Sequence, residues 1–307
     1  MFDAVTVGET MASFVSSDDP HRFTAMPAGA EANVAVGMAR LGCRTKWVSR
    51  LGDDALGRLV MADLAASGIE IDAPVDAERP TGIMIKHVTG ATAQVEYRRR
   101  GSAASALSPD DAARIGPARW VHTTGITAAL STSAAALVAT LLDGPAARTS
   151  FDVNLRAALW PDPASARETL LPLARQADLV FIGDDEADRL VGDASEDAVA
   201  DALLRRDGQE VVLKRGAERA SVLTTDGEAS QPALRVDVVD LTGAGDAFAA
   251  GYLAGACFGW EVTDRLRLGH LMGSRVVGVI DDTPPPFTDP ELAGLSPGAL
   301  AERWSAD

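Results

Sequence analysis

Short apolar runs alternate with longer segments of helical periodicity along most of the chain. Residues 4–7 form the first run, stopped by Gly8, and an amphipathic pattern over 31–41 follows with Gly42 as its stop. The alternation recurs as 46–49 then 56–67, 120–123 then 131–142, and 149–153 then 164–176, with further strand-like runs at 179–182 and 211–213. Two helical patterns, 244–257 and 263–279, precede the proline run 284–286. Strands separated by helices pair in parallel and need covering on both sides. The pattern therefore predicts an α/β fold, a central mostly parallel β-sheet flanked by helices on both faces.

Two stretches break this rhythm. Residues 11–26 and 82–99 read as short strands with turns, and the β-rich run 94–97 has no helix nearby to cover it. One small β-sheet projecting from the core as a lid is expected, with a pair of ordinary surface hairpins as the alternative. Under the first reading, 1–10, 27–80 and 102–307 make the core, and 11–26 and 81–101 make the lid. No internal repeat is evident.

With 307 residues, 47% hydrophobic and 23% charged, the chain is long enough for a full core and has the balance of a globular protein. Lys and Arg total 28 against 44 Asp and Glu, a formal charge of −16. Such a surface lacks the positive charge needed to displace counterions from nucleic acid, and an anionic membrane repels it equally. Cys43 and Cys257 are the only cysteines, far apart in sequence and without metal spacing, which points to a reducing compartment. His21, His87 and His122 show no metal spacing either. No basic segment leads into a long apolar one near Met1, so a cytoplasmic protein is expected.

The chemistry concentrates in DLTGAGDAF, residues 240–248, which follows an extended run at 234–239 and opens an apolar helix. Gly243 and Gly245 free the backbone, so the amides of Gly243, Ala244 and Gly245 can converge at a helix N-terminus, where unpaired N–H groups attract an anion. Asp246 puts a carboxylate beside that phosphate-sized pocket, either as a favourable helix-start charge or as a general base. Other nucleotide motifs fail. The dinucleotide pattern would need glycine where Phe248 stands, and no Gly-Lys-Ser/Thr, His-Glu-x-x-His or Gly-x-Ser-x-Gly occurs.

Taken with a second segment, AGAEANVAVGMARLG at 28–42 followed by RLGDDALGRLV, the DLTGAGDAFAAGYLAG run resembles the signatures of the ribokinase-like (PfkB) carbohydrate kinases. Within that family, YRRRGSAASALSPDD (97–111), TTGITAALS (123–131) and FDVNLRAALW (151–160) are most similar to 2-keto-3-deoxygluconate kinases. The resemblance implies an ATP- and Mg²⁺-dependent sugar-acid kinase acting on a terminal hydroxyl, with a monovalent cation such as K⁺ as an optional addition. It also implies a homo-oligomer, a dimer through the lid or larger. Asp246 would be the general base, and Gly243, Ala244 and Gly245 the anion hole. Glu186, in GDDEADRL, would act near the metal; Gly183 stands where asparagine is common.

A sugar carboxylate calls for a cation, best an arginine with paired donors. Period-two alternation places Tyr97 and Arg99 of the Arg98–Arg100 run on one face of a lid strand, and the resemblance puts both on the substrate side. Arg156 follows a buried strand at its C-terminal end, where open α/β sheets bind ligands, and is the second carboxylate contact. Gly29, Ala30 and Asn33 match positions that hold sugar oxygens, and Asp282 matches an acid near the substrate, with Ile280 and Asp281 replacing an Arg-Gly pair. On the nucleotide side stand Lys214, Gly216, Gly243, Gly245 and His270, the last where asparagine is usual. Two other readings remain open here: a kinase of the same family for fructose, ribose or a nucleoside, and a non-catalytic sugar-acid or nucleotide sensor on the same fold.

Overall fold

The computed structural model describes residues 1–16, 19, 21–89, 92–144 and 147–305. Positions 17, 18, 20, 90 and 91 of the expected lid, and 145, 146, 306 and 307 of the expected core, lie outside the described residues. In chain order the strands are β1 (Phe2–Val7), β2 (Met11–Ser16), β3 (Thr24–Ala28), β4 (Thr45–Val48), β5 (Leu51–Gly52), β6 (Glu70–Asp72), β7 (Val75–Asp76), β8 (Ile83–Thr89), β9 (Thr92–Arg98), β10 (Ala118–Thr124), β11 (Arg148–Asp152), β12 (Leu179–Gly183), β13 (Glu210–Arg215), β14 (Arg219–Thr224) and β15 (Gly227–Pro232). The helices are α1 (Ala30–Arg40), α2 (Ala55–Ala66), α3 (Gly125–Ala128), α4 (Thr132–Leu142), α5 (Pro163–Gln176), α6 (Asp184–Leu190), α7 (Glu196–Leu203), α8 (Ala244–Phe258), α9 (Val262–Val277), α10 (Asp289–Ala293) and α11 (Pro297–Ser305).

The main sheet runs β15-β14-β13-β12-β11-β10-β1-β4-β6. From β13 to β6 every neighbouring pair is parallel, as the strand-helix rhythm predicts. Strand β12 shows why both faces must be covered: Leu179 and Phe181 pack in one apolar cluster with Tyr252 and Met38, while Val180 and Ile182 pack in another with Phe151 and Leu170. Because side chains alternate along a strand, an uninterrupted apolar run needs helices above and below. Here α1, α8 and α9 supply residues to the first cluster, and α4, α5 and α6 to the second. Cys43 and Cys257 meet in the first cluster as buried free thiols, despite their separation in sequence.

The antiparallel hairpin β14–β15 on the sheet edge was not expected. Its turn ends in Asp226-Gly227, a strong hairpin signal, and Gly227 has a φ of 138°. The extended run 234–239 is irregular chain beyond that hairpin and forms no strand.

The two stretches that break the rhythm form one four-stranded sheet, β3-β2-β8-β9. Each is an antiparallel pair, and a parallel β2–β8 contact joins them, with Phe14 opposite Ile85. In the main sheet the chain moves outward from β1 to β4 and β6, then restarts at β10 and proceeds the other way. That reversal opens a crevice at the C-terminal ends of β1 and β10, the place where open α/β sheets take ligands.

Candidate active site

Asp246 lies in the first turn of α8, and its position depends on Gly243, the residue that caps the helix. Gly243 adopts a φ of 78°, and a Cβ there would come within 2.2 Å of the Asp282 carbonyl oxygen. No L side chain fits. The preceding turn is tied by Asp240, whose Oδ1 accepts from the Thr242 amide at 3.0 Å and its hydroxyl at 2.8 Å. Among the three amides expected to converge, that of Ala244 donates back to the Leu241 carbonyl at 3.3 Å. The Gly245 amide, like other first-turn N–H groups, has no carbonyl behind it in the helix.

The Asp246 carboxylate is buried and held from two directions. Asn33 Nδ2, from α1, donates to Oδ2 at 2.9 Å, and Asn154 Nδ2, from the loop after β11, donates to Oδ1 at 3.3 Å. Burial pushes Asp246 up to about 6; the Asn33 hydrogen bond and the positive Arg156 and Lys214 pull the other way, and Asp152 adds to the rise. Its carboxylate is ionised at neutral pH yet a stronger base than an exposed aspartate, which suits proton acceptance. Asn33 was expected to hold sugar oxygens; its amide group is spent on Asp246, leaving Oδ1 for a ligand.

Asn154, Asp152, Glu31 and Glu9 complete the site and were not picked out from the sequence. Asn154 has a φ of 39°, alone among described non-glycine residues in being positive, and asparagine tolerates that region best. Its amide donates to Asp152 Oδ1 at 3.2 Å, and Asp152 Oδ2 accepts from Lys214 Nζ at 2.7 Å. Burial alone would favour neutral Lys214, but Asp152 and Glu186 hold it charged. Glu186 accepts from the Gly183 amide at 2.8 Å and the Leu155 amide at 2.7 Å, locking the loop that carries Asn154 to the start of α6. Its carboxyl is raised by burial and by Asp152. Glu31, wholly buried on α1, rises to about 7, with Thr124 and Thr127 hydroxyls donating to it at 2.7 and 2.6 Å.

Beyond Gly245 opens a cavity of ≈ 460 Å³ lined by Lys214, Gly216, Val236, Leu241, Phe248 and His270, among others. Of the residues expected on the nucleotide side, Lys214, Gly216, Gly245 and His270 line this cavity, and Gly243 does not. His270 contributes differently from the asparagine it replaces: its Nε2 is taken by the Gln231 carbonyl at 3.0 Å, its ring meets Phe248 edge-on at 5.1 Å, and burial lowers it to about 4. It is a neutral wall. A nucleoside triphosphate fits this shape, with an apolar end for the base and a helix N-terminus for the phosphates. Among the described residues no three His, Cys, Asp or Glu converge on a metal position.

On the substrate side, two of the expected residues are engaged within the chain. Arg99 is buried and turned onto Glu9, with Nε and Nη2 at 2.6 and 2.5 Å from Oε2, while Ser102 Oγ donates to the other carboxylate oxygen. The sequence could not reveal this pairing with Glu9, because β9 and the end of β1 meet only in the fold. Tyr97, its neighbour across 5.7 Å, is part-exposed. Asp282 turns its carboxylate onto Lys86 Nζ at 3.0 Å and presents only main chain to the anion loop. Arg156, by contrast, is exposed, its guanidinium has no hydrogen-bond partner among the described residues, and its charge acts on Asp246. Gly29 admits no Cβ, which would lie 2.3 Å from the Glu9 carbonyl oxygen, so α1 and Ala30 begin hard against the β1 end.

The chain matches the model of the pfkB family carbohydrate kinases over residues 1–287. It is 37% identical over 286 residues to a 2-dehydro-3-deoxygluconokinase of Bacillus subtilis (strain 168), covering 89% of this chain and 88% of that one. A 2-dehydro-3-deoxygluconokinase of Thermoproteus tenax is 36% identical over 295 residues, 92% of this chain and 90% of its own. A solved PfkB protein from Polaromonas sp. JS666 superposes with a TM-score of 0.84 at 34% identity, over 95% of this chain and 99% of that one.

Proposed function

The chain belongs to the pfkB family of carbohydrate kinases, and from that premise we propose that it phosphorylates the terminal hydroxyl of 2-keto-3-deoxygluconate with ATP, giving 2-keto-3-deoxy-6-phosphogluconate. The observation that carries this reading is the buried Asp246 carboxylate, aimed by two amide side chains and set one residue beyond the Gly245 amide at the mouth of the cavity. The substrate oxygen attacks the γ-phosphorus, the bond from that phosphorus to the β–γ bridging oxygen breaks, and ADP leaves. Asp246 takes the hydroxyl proton as the new O–P bond forms. The amides at the start of α8 and Lys214 neutralise charge on the moving group, where little covalent work is needed. Magnesium bound through the phosphates would neutralise the triphosphate further, and Glu186 and Asp152 are proposed to hold its waters.

Arg156 supports the sugar-acid part, since it stands unpaired near Asp246 where a substrate carboxylate needs a partner. Gly29, Ala30 and the free Asn33 Oδ1 are proposed to meet the sugar's hydroxyls. The small sheet is proposed as the lid over this site, with Tyr97 on its substrate side, and as the part through which two copies associate. No described helix is long and apolar enough to cross a membrane, and a cytoplasmic enzyme is proposed. The test is ADP release with ATP and Mg²⁺ across ketodeoxy acids, hexoses, pentoses and nucleosides. Turnover fastest with 2-keto-3-deoxygluconate is expected; a faster neutral sugar would overturn the acceptor, and no release with any acceptor would leave a sensor.

A further inference from the structure

The ammonium of Lys86 is buried between two carboxylates that flank the anion loop. Its side chain is 1% exposed, and its Nζ forms ion pairs with Asp240 and, at 3.0 Å, with Asp282. Asp240 opens the loop and ties its turn through Thr242; Asp282 presses its main chain against Gly243. Lys86 itself is fixed in β8, with Val15 on one side and Val95 on the other.

We propose that Lys86 is the built-in cation of this loop: a positioning residue, carried by the small sheet, that bridges Asp240 and Asp282 and lets the kinase turn over without an added monovalent cation. Two carboxylates withdrawn from water at this spacing need a positive charge between them, because each unpaired buried ion is costly. With the Lys86 ammonium already paired to both carboxylates, Asp240 and Asp282 leave no negative charge for a K⁺ or NH₄⁺ ion to neutralise. Although burial opposes its charge, the two acids hold Lys86 protonated. Since Gly243 can take no other position against Asp282, a shift of Asp282 moves the turn from which the α8 amides point.

This inference rests on the kinase reading, and its test separates the two. Initial rates are measured in K⁺, NH₄⁺, Na⁺ and tetramethylammonium at constant ionic strength, with whichever acceptor supports ADP release, and melting temperatures are taken in the same series. Unchanged rates and melting are expected for the natural protein. Lys86→Met should lose at least about tenfold in kcat in tetramethylammonium, as expected when transition-state donors are displaced, with a smaller change in KM. K⁺ or NH₄⁺ should restore part of that loss and raise the variant's melting temperature alone, while Lys86→Arg should retain more kcat than Lys86→Met. A natural protein that requires K⁺, or a Met variant whose rate and melting ignore the cation, overturns the proposal. Should Lys86→Met fail to fold, the natural protein's cation series and the Lys86→Arg kcat decide. If no acceptor yields ADP, the kinase reading fails and the melting series still judges Lys86.

Discussion

Asn33 Nδ2 lies 2.9 Å from Asp246 Oδ2, a hydrogen bond that spans 213 positions of the chain and joins the start of α1 to the start of α8. The two signature segments thus meet in one interaction, with Asn154 donating to the other oxygen. A carboxylate fixed at both oxygens cannot rotate away from an incoming hydroxyl, so the amide pair supplies orientation that burial alone does not.

Asp246→Asn should cost about 10²–10⁴-fold in kcat, the usual effect of removing a positioned base. It should change the melting temperature little, because relief of the buried charge offsets the new NH₂ that Asn33 or Asn154 must turn to accept from. Burial pushes Asp246 from the ordinary aspartate value of 3.8 up to about 6, so the folded protein binds the proton more tightly. Stability from this group is therefore greatest at low pH, declines as pH rises from about 4 to 6, and is at its minimum above that window. A neutral asparagine avoids the cost at pH 7. Scanning fluorimetry and ADP release on the same preparation check both halves; undiminished turnover would remove Asp246 from the chemistry.

The acid limb of kcat/KM should fall near pH 6, because the base must be ionised in the free enzyme. Asn33→Asp should move that limb upward by about one unit or more, since a second carboxylate replaces a donor beside Asp246. Glu31, Asp152, Arg156 and Lys214 also bear on this group and stay unchanged in the variant. A pH–rate profile that keeps its acid limb in place would show that Asp246 is not the titrating base.

Much of this arrangement is legible in the sequence because it is local. Gly243, Gly245 and Asp246 lie within four consecutive positions, and the strand-helix rhythm fixes a parallel sheet. Lys86, Glu9 and Asp152 were not legible, since each acquires its role from a partner brought near only by sheet order: Asp282, Arg99 and Lys214 respectively. Arg99 shows the cost of that blindness. Its charge and alternation point to a ligand, but neither foresees the buried glutamate at the end of β1 that holds it. The β14–β15 hairpin is a different case, for its Asp-Gly turn was readable and overlooked.

Gly243→Ala should disable turnover while leaving the main sheet intact. The new methyl group would meet the Asp282 carbonyl at 2.2 Å in a left-handed backbone that costs about 1–2 kcal/mol for an L residue. The turn must shift, and the α8 amides shift with it. Circular dichroism should be unchanged and kcat reduced by at least about tenfold, the effect of misdirecting an anion donor; full activity would show the turn to be adaptable.

Arg99 and Arg156 should separate cleanly, although both were candidates for the substrate carboxylate. Removing the Arg99 guanidinium leaves Glu9, 1% exposed, without its ion partner, a change worth about 3–5 kcal/mol when a buried pair is broken. Arg99→Ala should therefore lower the melting temperature by several degrees, whatever its effect on rate. Arg156 is exposed and its guanidinium is bonded to nothing described, so Arg156→Ala should leave melting unchanged. Losing a charged hydrogen bond worth about 1.5–3 kcal/mol should raise KM for the sugar acid about tenfold to a hundredfold, with KM for ATP unaffected. Its field also pulls Asp246 down, so the acid limb of the variant should sit slightly higher. A neutral acceptor provides the control, for it offers no carboxylate: an equal loss with fructose would place Arg156 on the phosphate path and remove it from acid recognition.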